Sequence, residues 1–173
     1  MVSFDLLKTI IMKIQHLEEH VNDYKTSIET VVKKKVLWKN KTKDIILSTF
    51  NSIVNEYNIG WRVQELSWMN TNEAVNITFD SFPPDLIKKT NQIPSFQFIQ
   101  GGALVFSQSY SGDVYVFILF PIGENMHVEN NSKDLGFYNP VNIDQKLIIE
   151  KVDEFLKEMT KWELPTIKNK MGF

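Results

Sequence analysis

The first 59 residues of this chain contain neither glycine nor proline, and the first residue of either kind is Gly60. Within this stretch apolar residues recur at gaps of three and four, which is the spacing of one helix face. These residues are Phe4, Leu7, Ile11, Ile14, Leu17, Val21, Tyr24, Ile28 and Val31. Because Gly and Pro are the strongest helix breakers, their absence favours an unusually long amphipathic helix. We place this helix 1 at about residues 3–36.

A second apolar seam predicts a second helix at residues 43–58. Gly60 follows it at the position where a helix C-terminal cap is expected. Asn40 and Thr42 mark the point where we expect the chain to reverse. The sequence therefore predicts a helical hairpin over residues 1–58, with a seam in its second helix formed by Ile46, Phe50, Ile53 and Tyr57.

From Trp61 the periodicity changes to the alternation typical of β-strands. Segments 61–69 and 74–80 form one predicted strand pair, and segments 96–110 and 113–120 form another. Residues 61–120 are thus predicted to fold into a mainly antiparallel sheet of four to five strands. The last of these strands is apolar at consecutive positions, which predicts a central strand covered on both faces.

The C-terminal third combines an irregular segment with a further helix. Residues 121–141 show no clear period and contain two glycines and two prolines, so we predict a long loop, with a short strand around residues 126–129 as the alternative for its middle. Residues 142–163 regain helical spacing, and Asn142 is the predicted N-cap. Its seam consists of Ile148, Val152, Phe155, Met159 and Trp162. The element order predicts one α+β domain over residues 1–173.

Composition restricts the class of protein and its compartment. The chain has 43% hydrophobic and 23% charged residues, a balance typical of globular domains. It has no cysteine, which excludes disulfides and thiolate metal sites and favours a cytoplasmic protein. No apolar run approaches the roughly 20 residues that a membrane-spanning helix needs. We therefore expect no membrane span.

Two patterns resemble catalytic motifs but have simpler interpretations. His16 and His20 flank Glu19 in the spacing of an inverted zinc-peptidase signature, yet both lie opposite the apolar stripe of helix 1. Asp85 and Asp144 match acidic positions of a metal-dependent nuclease, but acids are common at helix starts for electrostatic reasons. We therefore predict no catalytic residue, no metal site and no cofactor.

A basic run between the two predicted helices is the one candidate contact site. It can bind an anionic partner through its lysines and tryptophan, or it can be a solvated turn. The net charge of −2 and the single arginine, Arg62, argue against a nucleic-acid partner. The candidate residues are Lys33, Lys34, Lys35, Trp38, Lys39, Lys41 and Lys43.

The functional prediction is a non-enzymatic module for protein interaction and assembly. Helix 1 is about 50 Å long and predicted strands span only about 27 Å, so the sheet cannot cover the whole stripe. The partner is then a second copy, giving a homodimer through helix 1, or an unidentified protein. The element order also resembles that of PAS and GAF sensor domains, and this resemblance implies a small-molecule pocket over the sheet. A hydrolase whose residues converge only in three dimensions is the remaining alternative.

Overall fold

The computed structural model describes residues 3–67, 72–87, 92, 101–121 and 131–163. Within these ranges a long N-terminal helical segment precedes an antiparallel sheet and a C-terminal helix, which confirms the predicted α+β class. The elements are α1 (Phe4–Leu37), a π-helical segment (Trp38–Thr42), α2 (Lys43–Glu56), β1 (Trp61–Ser67), β2 (Glu73–Phe79), β3 (Ala103–Gln108), β4 (Val114–Leu119), β5 (Ser132–Tyr138) and α3 (Gln145–Met159). Short 3-10 helices lie at Pro84–Leu86, Pro140–Asn142 and Thr160–Glu163.

The predicted hairpin over residues 1–58 is wrong, because α1, the π segment and α2 form one continuous helix. Leu37, Trp38, Thr42 and Lys43 all have right-handed helical backbone angles. Instead of reversing, the helix widens here. The Lys43 N–H donates to the carbonyl of Trp38, five residues earlier, rather than to a carbonyl four residues earlier as in an α-helix. Asn40 and Thr42 have low helix propensity, but they do not break a helix as Gly or Pro would. Because this segment contains neither Gly nor Pro, the helix continues through it.

The five strands pair in the order β1-β2-β3-β4-β5, each antiparallel to the next. The number of strands agrees with the predicted four to five. The alignment of Ile77 with Leu104, and of Leu104 with Ile118, places one apolar row across the middle of the sheet. The core lies between this face and the two helices α2 and α3. Its largest fully buried side chains are Trp38, Phe50, Phe106, Phe155, Ile46, Ile77, Leu104, Ile118 and Ile148.

The prediction that β4 is covered on both faces is wrong. Val114, Val116 and Ile118 are fully buried, whereas Leu119 on the other face is 42% exposed. The apolar side chains of that second face are shielded mainly by one another. Tyr115, for example, stacks on Phe117 and on Phe137 of β5, with ring centroids 4.6 Å apart in each pair.

Strand β5 lies inside the predicted loop 121–141, so that prediction is wrong for residues 132–138. Ser132, Lys133 and Asp134 give this strand a polar start. An irregularity in the pairing with β4 then interrupts the alternation, at Gly136 with its φ of +111°. Pro140 and Val141 of the short 3-10 helix that follows also fall within the predicted loop. The short strand predicted around residues 126–129 lies outside the described residues. Of the predicted strand at 96–110, residues 96–100 lie outside the described residues.

The C-terminal helix is observed close to its predicted place. Its N-cap is Asp144 rather than Asn142, because Asp144 Oδ1 accepts a hydrogen bond from the Leu147 N–H at 2.8 Å. Asn142 instead ends the preceding 3-10 helix. The predicted seam is confirmed at Ile148, Val152 and Phe155, which are buried against the sheet.

Candidate interaction surface on α1

Most of α1 extends into solvent without packing on the rest of the chain. Every residue from Ser3 to Thr30 is exposed, and α1 contains no buried residue. Between Phe4 and Ile28, the exposed fraction of its apolar side chains ranges from 43% at Ile10 and Val21 to 84% at Phe4. At 1.5 Å per residue, the exposed part of the helix is about 40 Å long. Of the 21 exposed large apolar side chains on the described residues, 13 lie on α1.

The apolar side chains of α1 follow a heptad repeat. With Leu7 as position a, positions a and d are apolar through four consecutive heptads, a spacing of 3.5 residues per turn. We call these eight residues the α1 seam. Position a holds Leu7, Ile14, Val21 and Ile28, and position d holds Ile10, Leu17, Tyr24 and Val31. Such a seam supercoils around a partner helix in known coiled coils.

Charged and apolar side chains flank the seam at positions e and g. Lys13 is at position g and Glu18 at the following position e, so the two flanks carry opposite charges near the middle of the helix. Leu6 and Ile11 hold the equivalent positions one heptad earlier and widen the apolar surface. The seam is therefore apolar at its N-terminal end and bordered by charges further along.

The β3–β4 turn holds the C-terminal part of α1 against the sheet. Lys34 Nζ lies 2.9 Å from Asp113 Oδ1, and both side chains are largely buried. Gly112 sits directly against the helix, since a Cβ at this position would lie 2.7 Å from the Lys34 Cβ. The turn also comes close to the Val31 carbonyl, so the seam meets the sheet at its last position.

The π segment is anchored by polar contacts as well as by burial. Trp38 Nε1 donates to Glu73 Oε2 at 3.1 Å, and Lys43 Nζ lies 3.3 Å from the same oxygen. Thr42 Oγ1 donates to the Pro140 carbonyl at 3.2 Å. The hydrogen bond from Trp38, helped by the Lys43 ammonium and opposed by partial burial, lowers the pKa of the Glu73 carboxyl. These contacts fix the direction in which α1 leaves the sheet.

The structure divides the basic run that the sequence singled out as one contact site. Trp38 is only 1% exposed, so it packs in the core and does not present its ring to a ligand. Lys34 and Lys43 are paired with Asp113 and Glu73. Of the remaining candidates, Lys33, Lys39 and Lys41 are exposed and Lys35 is half-buried.

The motif-like histidines and acids do not converge on a metal-binding geometry. His16 and His20 are both exposed, and His16 Nδ1 lies 3.6 Å from Glu19. Asp85 is part of a 3-10 helix and Asp144 caps α3. Across the part of the chain that the structure describes, no three His, Asp or Glu side chains come together as metal ligands would.

One small cleft lies beside the ends of β1 and β2. Its volume is about 180 Å³, which is below the roughly 300–1,000 Å³ of typical ligand pockets. Its walls are polar as well as apolar, and opposite charges meet there. The lining residues are Lys43, Glu65, Leu66, Ser67, Glu73 and Ala74.

Comparisons with known proteins give no relative for this chain. No protein family, no curated protein and no solved structure matches it. Among the described helices, none has an apolar stretch long enough to cross a bilayer.

Sequence reasoning found the apolar stripe but missed the residues that anchor it. Glu73, Gly112 and Asp113 are far from α1 in sequence and carry no local pattern that links them to it. Their role depends on strand pairing, which brings the β3–β4 turn against Lys34. The sheet register would have been needed to predict these contacts.

Proposed function

We propose that this protein is a non-enzymatic assembly module that associates with a second copy of itself through the α1 seam. The observation that carries the proposal is the exposure of seven consecutive seam positions, from Leu7 to Ile28. A continuous apolar row of this length is unusual on a monomer and typical of an interaction site. Pairing of two identical seams covers it on both molecules, and twofold dimers are the commonest protein assemblies.

The net negative charge of α1 argues against the alternative that a membrane surface covers its apolar side chains. Between residues 4 and 30 the helix has three lysines and five carboxylates. Helices that lie on anionic membranes are rich in Lys and Arg on their polar face. The acidic excess on α1 would be repelled by such a surface, whereas a protein partner needs no net positive charge.

A single observation favours a second candidate, a small-molecule sensor with its site on the sheet face opposite α2 and α3. Asn76 is 6% exposed, and its Oδ1 atom has no hydrogen-bond partner among the described residues. The neighbouring Ala74 and Val105 are also buried. A ligand that donates an N–H or O–H would satisfy this oxygen. For this candidate, Asn76→Ala is expected to abolish chemical-shift changes that a metabolite mixture causes in the wild type.

The cytoplasm is the proposed location of the module. All 173 residues lack cysteine, as suits a compartment where disulfides do not form. A coiled-coil pair needs neither a disulfide nor a metal for stability.

Two matched substitutions test the proposal. Leu17→Glu places a charge in the seam, whereas Met12→Glu makes the same kind of change at position f, on the opposite face of the helix. Both side chains are exposed, at 61% and 49%. We expect Leu17→Glu to run at the monomer mass of 20.2 kDa in size-exclusion chromatography with light scattering. Wild type and Met12→Glu are expected at twice that mass.

Equal masses for all three proteins would contradict the proposal. Circular dichroism at the same concentrations is the control for folding. If Leu17→Glu retains its strand signal but loses part of its helix signal, the loss is confined to α1. Such a partial loss is expected, because an isolated amphipathic helix is only marginally stable in water.

A further inference from the structure

We infer that the two copies pair in parallel and in register over residues 7–28, so that both sheets lie at the same end of a coiled coil. This inference rests on the proposed function and adds the orientation of the partner. In this arrangement seven seam layers form, each between identical residues of the two copies. Three of the four a positions hold the β-branched residues Ile14, Val21 and Ile28, and Leu17 holds the central d position, a combination that favours two parallel strands. The first heptad departs from this pattern, with Leu7 at position a and Ile10 at position d.

Charge complementarity supports the parallel orientation. In a parallel pair, position g of one heptad meets position e of the next heptad on the other copy. Lys13 then faces Glu18 of the second copy, and the twofold symmetry repeats this pair. Leu6 faces Ile11 in the same way and extends the apolar contact. His20 faces Lys25, and this pair adds no complementary charge.

The antiparallel arrangement with the greatest overlap conflicts with the fold. It places Leu7 opposite Val31, which brings Phe4 of the second copy to the level of Lys34. That part of the helix is already covered by the β3–β4 turn, where Gly112 approaches the Lys34 side chain. In the same register Glu18 lies near its own counterpart, and like charges at such flanking positions are unfavourable.

Sliding the antiparallel pair by one heptad removes the steric conflict but loses contacts. Six seam layers remain, and Ile28 then lies opposite the polar Ser3. Lys13 meets His20 and Glu18 meets Ile11, so no pair of opposite charges forms across the interface. The parallel arrangement therefore has both the larger apolar contact and the only complementary charges.

Charge reversal at the flanking positions is the first test. Lys13→Glu is expected to raise the dimer dissociation constant about tenfold, because two attractive pairs become repulsive. The double variant Lys13→Glu/Glu18→Lys restores the opposite charges in a parallel pair and is expected to return to the wild-type value. A double variant that stays as weak as Lys13→Glu contradicts the parallel pairing.

Single cysteines give a direct test of orientation, because the chain has none of its own. Under mild oxidation, Leu7→Cys is expected to form a disulfide-linked dimer at least about tenfold faster than Thr9→Cys, which lies outside the seam at the same end. Ile28→Cys is expected to behave like Leu7→Cys. This second variant keeps the test valid if the substitution at Leu7 weakens dimerisation.

The outcomes separate this inference from the proposed function. A protein that remains monomeric by light scattering overturns both. A dimer in which neither Leu7→Cys nor Ile28→Cys links faster than Thr9→Cys overturns the parallel orientation alone. In that case an equal mixture of Leu7→Cys and Tyr24→Cys chains is expected to form disulfide-linked dimers, because Leu7 lies opposite Tyr24 in the antiparallel register that is shifted by one heptad.

Discussion

The helices α1 and α3 have the same kind of apolar spacing but opposite environments. In α3, Ile148, Val152 and Phe155 are at most 4% exposed and pack against the sheet. In α1, the equivalent residues Ile14, Leu17 and Val21 are 43–61% exposed. The sheet and α2 supply a surface for α3, while the part of α1 before Val31 extends beyond the sheet.

This difference shows what an amphipathic pattern specifies. A helical stripe of apolar residues indicates that one face is to be removed from water, but it does not indicate which surface covers it. The 15 residues of α3 match the dimensions of the sheet, and the 34 residues of α1 exceed them. Length therefore distinguishes a helix that completes the core from a helix whose apolar face the sheet leaves uncovered.

The largest difference in unfolding free energy is expected between two truncations to Ala, one in α3 and one in α1. Phe155→Ala removes a fully buried ring and should cost about 3–5 kcal/mol of unfolding free energy. Leu17→Ala should cost less than about 0.5 kcal/mol in the monomer, because its side chain is already in water. Urea unfolding at a protein concentration below the dimer dissociation constant measures both values. A large cost for Leu17→Ala under those conditions would mean that α1 packs on its own chain.

The next largest effect on stability is expected at the junction where the β3–β4 turn packs against the C-terminal part of α1. At Gly112, φ is +85° and a Cβ would approach the Lys34 side chain and the Val31 carbonyl. Gly112→Ala should therefore lower the unfolding free energy by about 1–3 kcal/mol. Gly101→Ala is the control for backbone strain alone and should cost less, because Gly101 also has a positive φ of +103° but an added Cβ there would meet no atom closer than 3.9 Å. Thermal unfolding of both variants checks the difference.

Acid should weaken the same junction through Glu73. The folded state holds its pKa below the ordinary value of 4.5, so its stabilising effect is present above that pH and is lost as pH falls through the lowered pKa. Glu73→Gln keeps an oxygen for Trp38 but loses the charge. The side chain is 40% exposed, so screening limits the loss at pH 7 to less than about 1 kcal/mol. Unfolding curves of wild type and variant should converge below that pKa.

The smallest expected effect is at the ion pair between Lys34 and Asp113. A double-mutant cycle with Lys34→Met and Asp113→Asn should give a coupling energy of about 0.5 kcal/mol, because both groups retain some contact with water. A coupling near zero would leave Gly112 and the buried Trp38 as the main determinants of how α1 is held.

Local patterns predicted the elements of this fold better than their connections. The alternation in β2 and the seam of α3 were enough to place both elements. The alternation did not predict that β2 is buried on both faces, since Ala74 and Asn76 are buried as well as Val75 and Ile77. The predicted reversal near Asn40 failed because a π segment takes up polar residues without ending the helix. Strand β5 was missed because the pairing irregularity at Gly136 breaks its period.

The candidate surface was predictable for a different reason. Its residues lie on one uninterrupted helix, so their relative positions follow from the sequence alone. The basic run was predicted as one site, yet Trp38, Lys34 and Lys43 contact residues that only the folded sheet brings near them. Sites that depend on such distant contacts cannot be read from spacing along the chain.

Amide hydrogen exchange over a range of protein concentrations tests the role of α1 most directly. If the seam pairs with a second copy, exchange in residues 7–28 slows as the protein concentration rises through the dimer dissociation constant, while exchange in α3 stays slow throughout. Fast exchange in α1 at every concentration, together with a constant mass of 20.2 kDa, would contradict self-association through the seam.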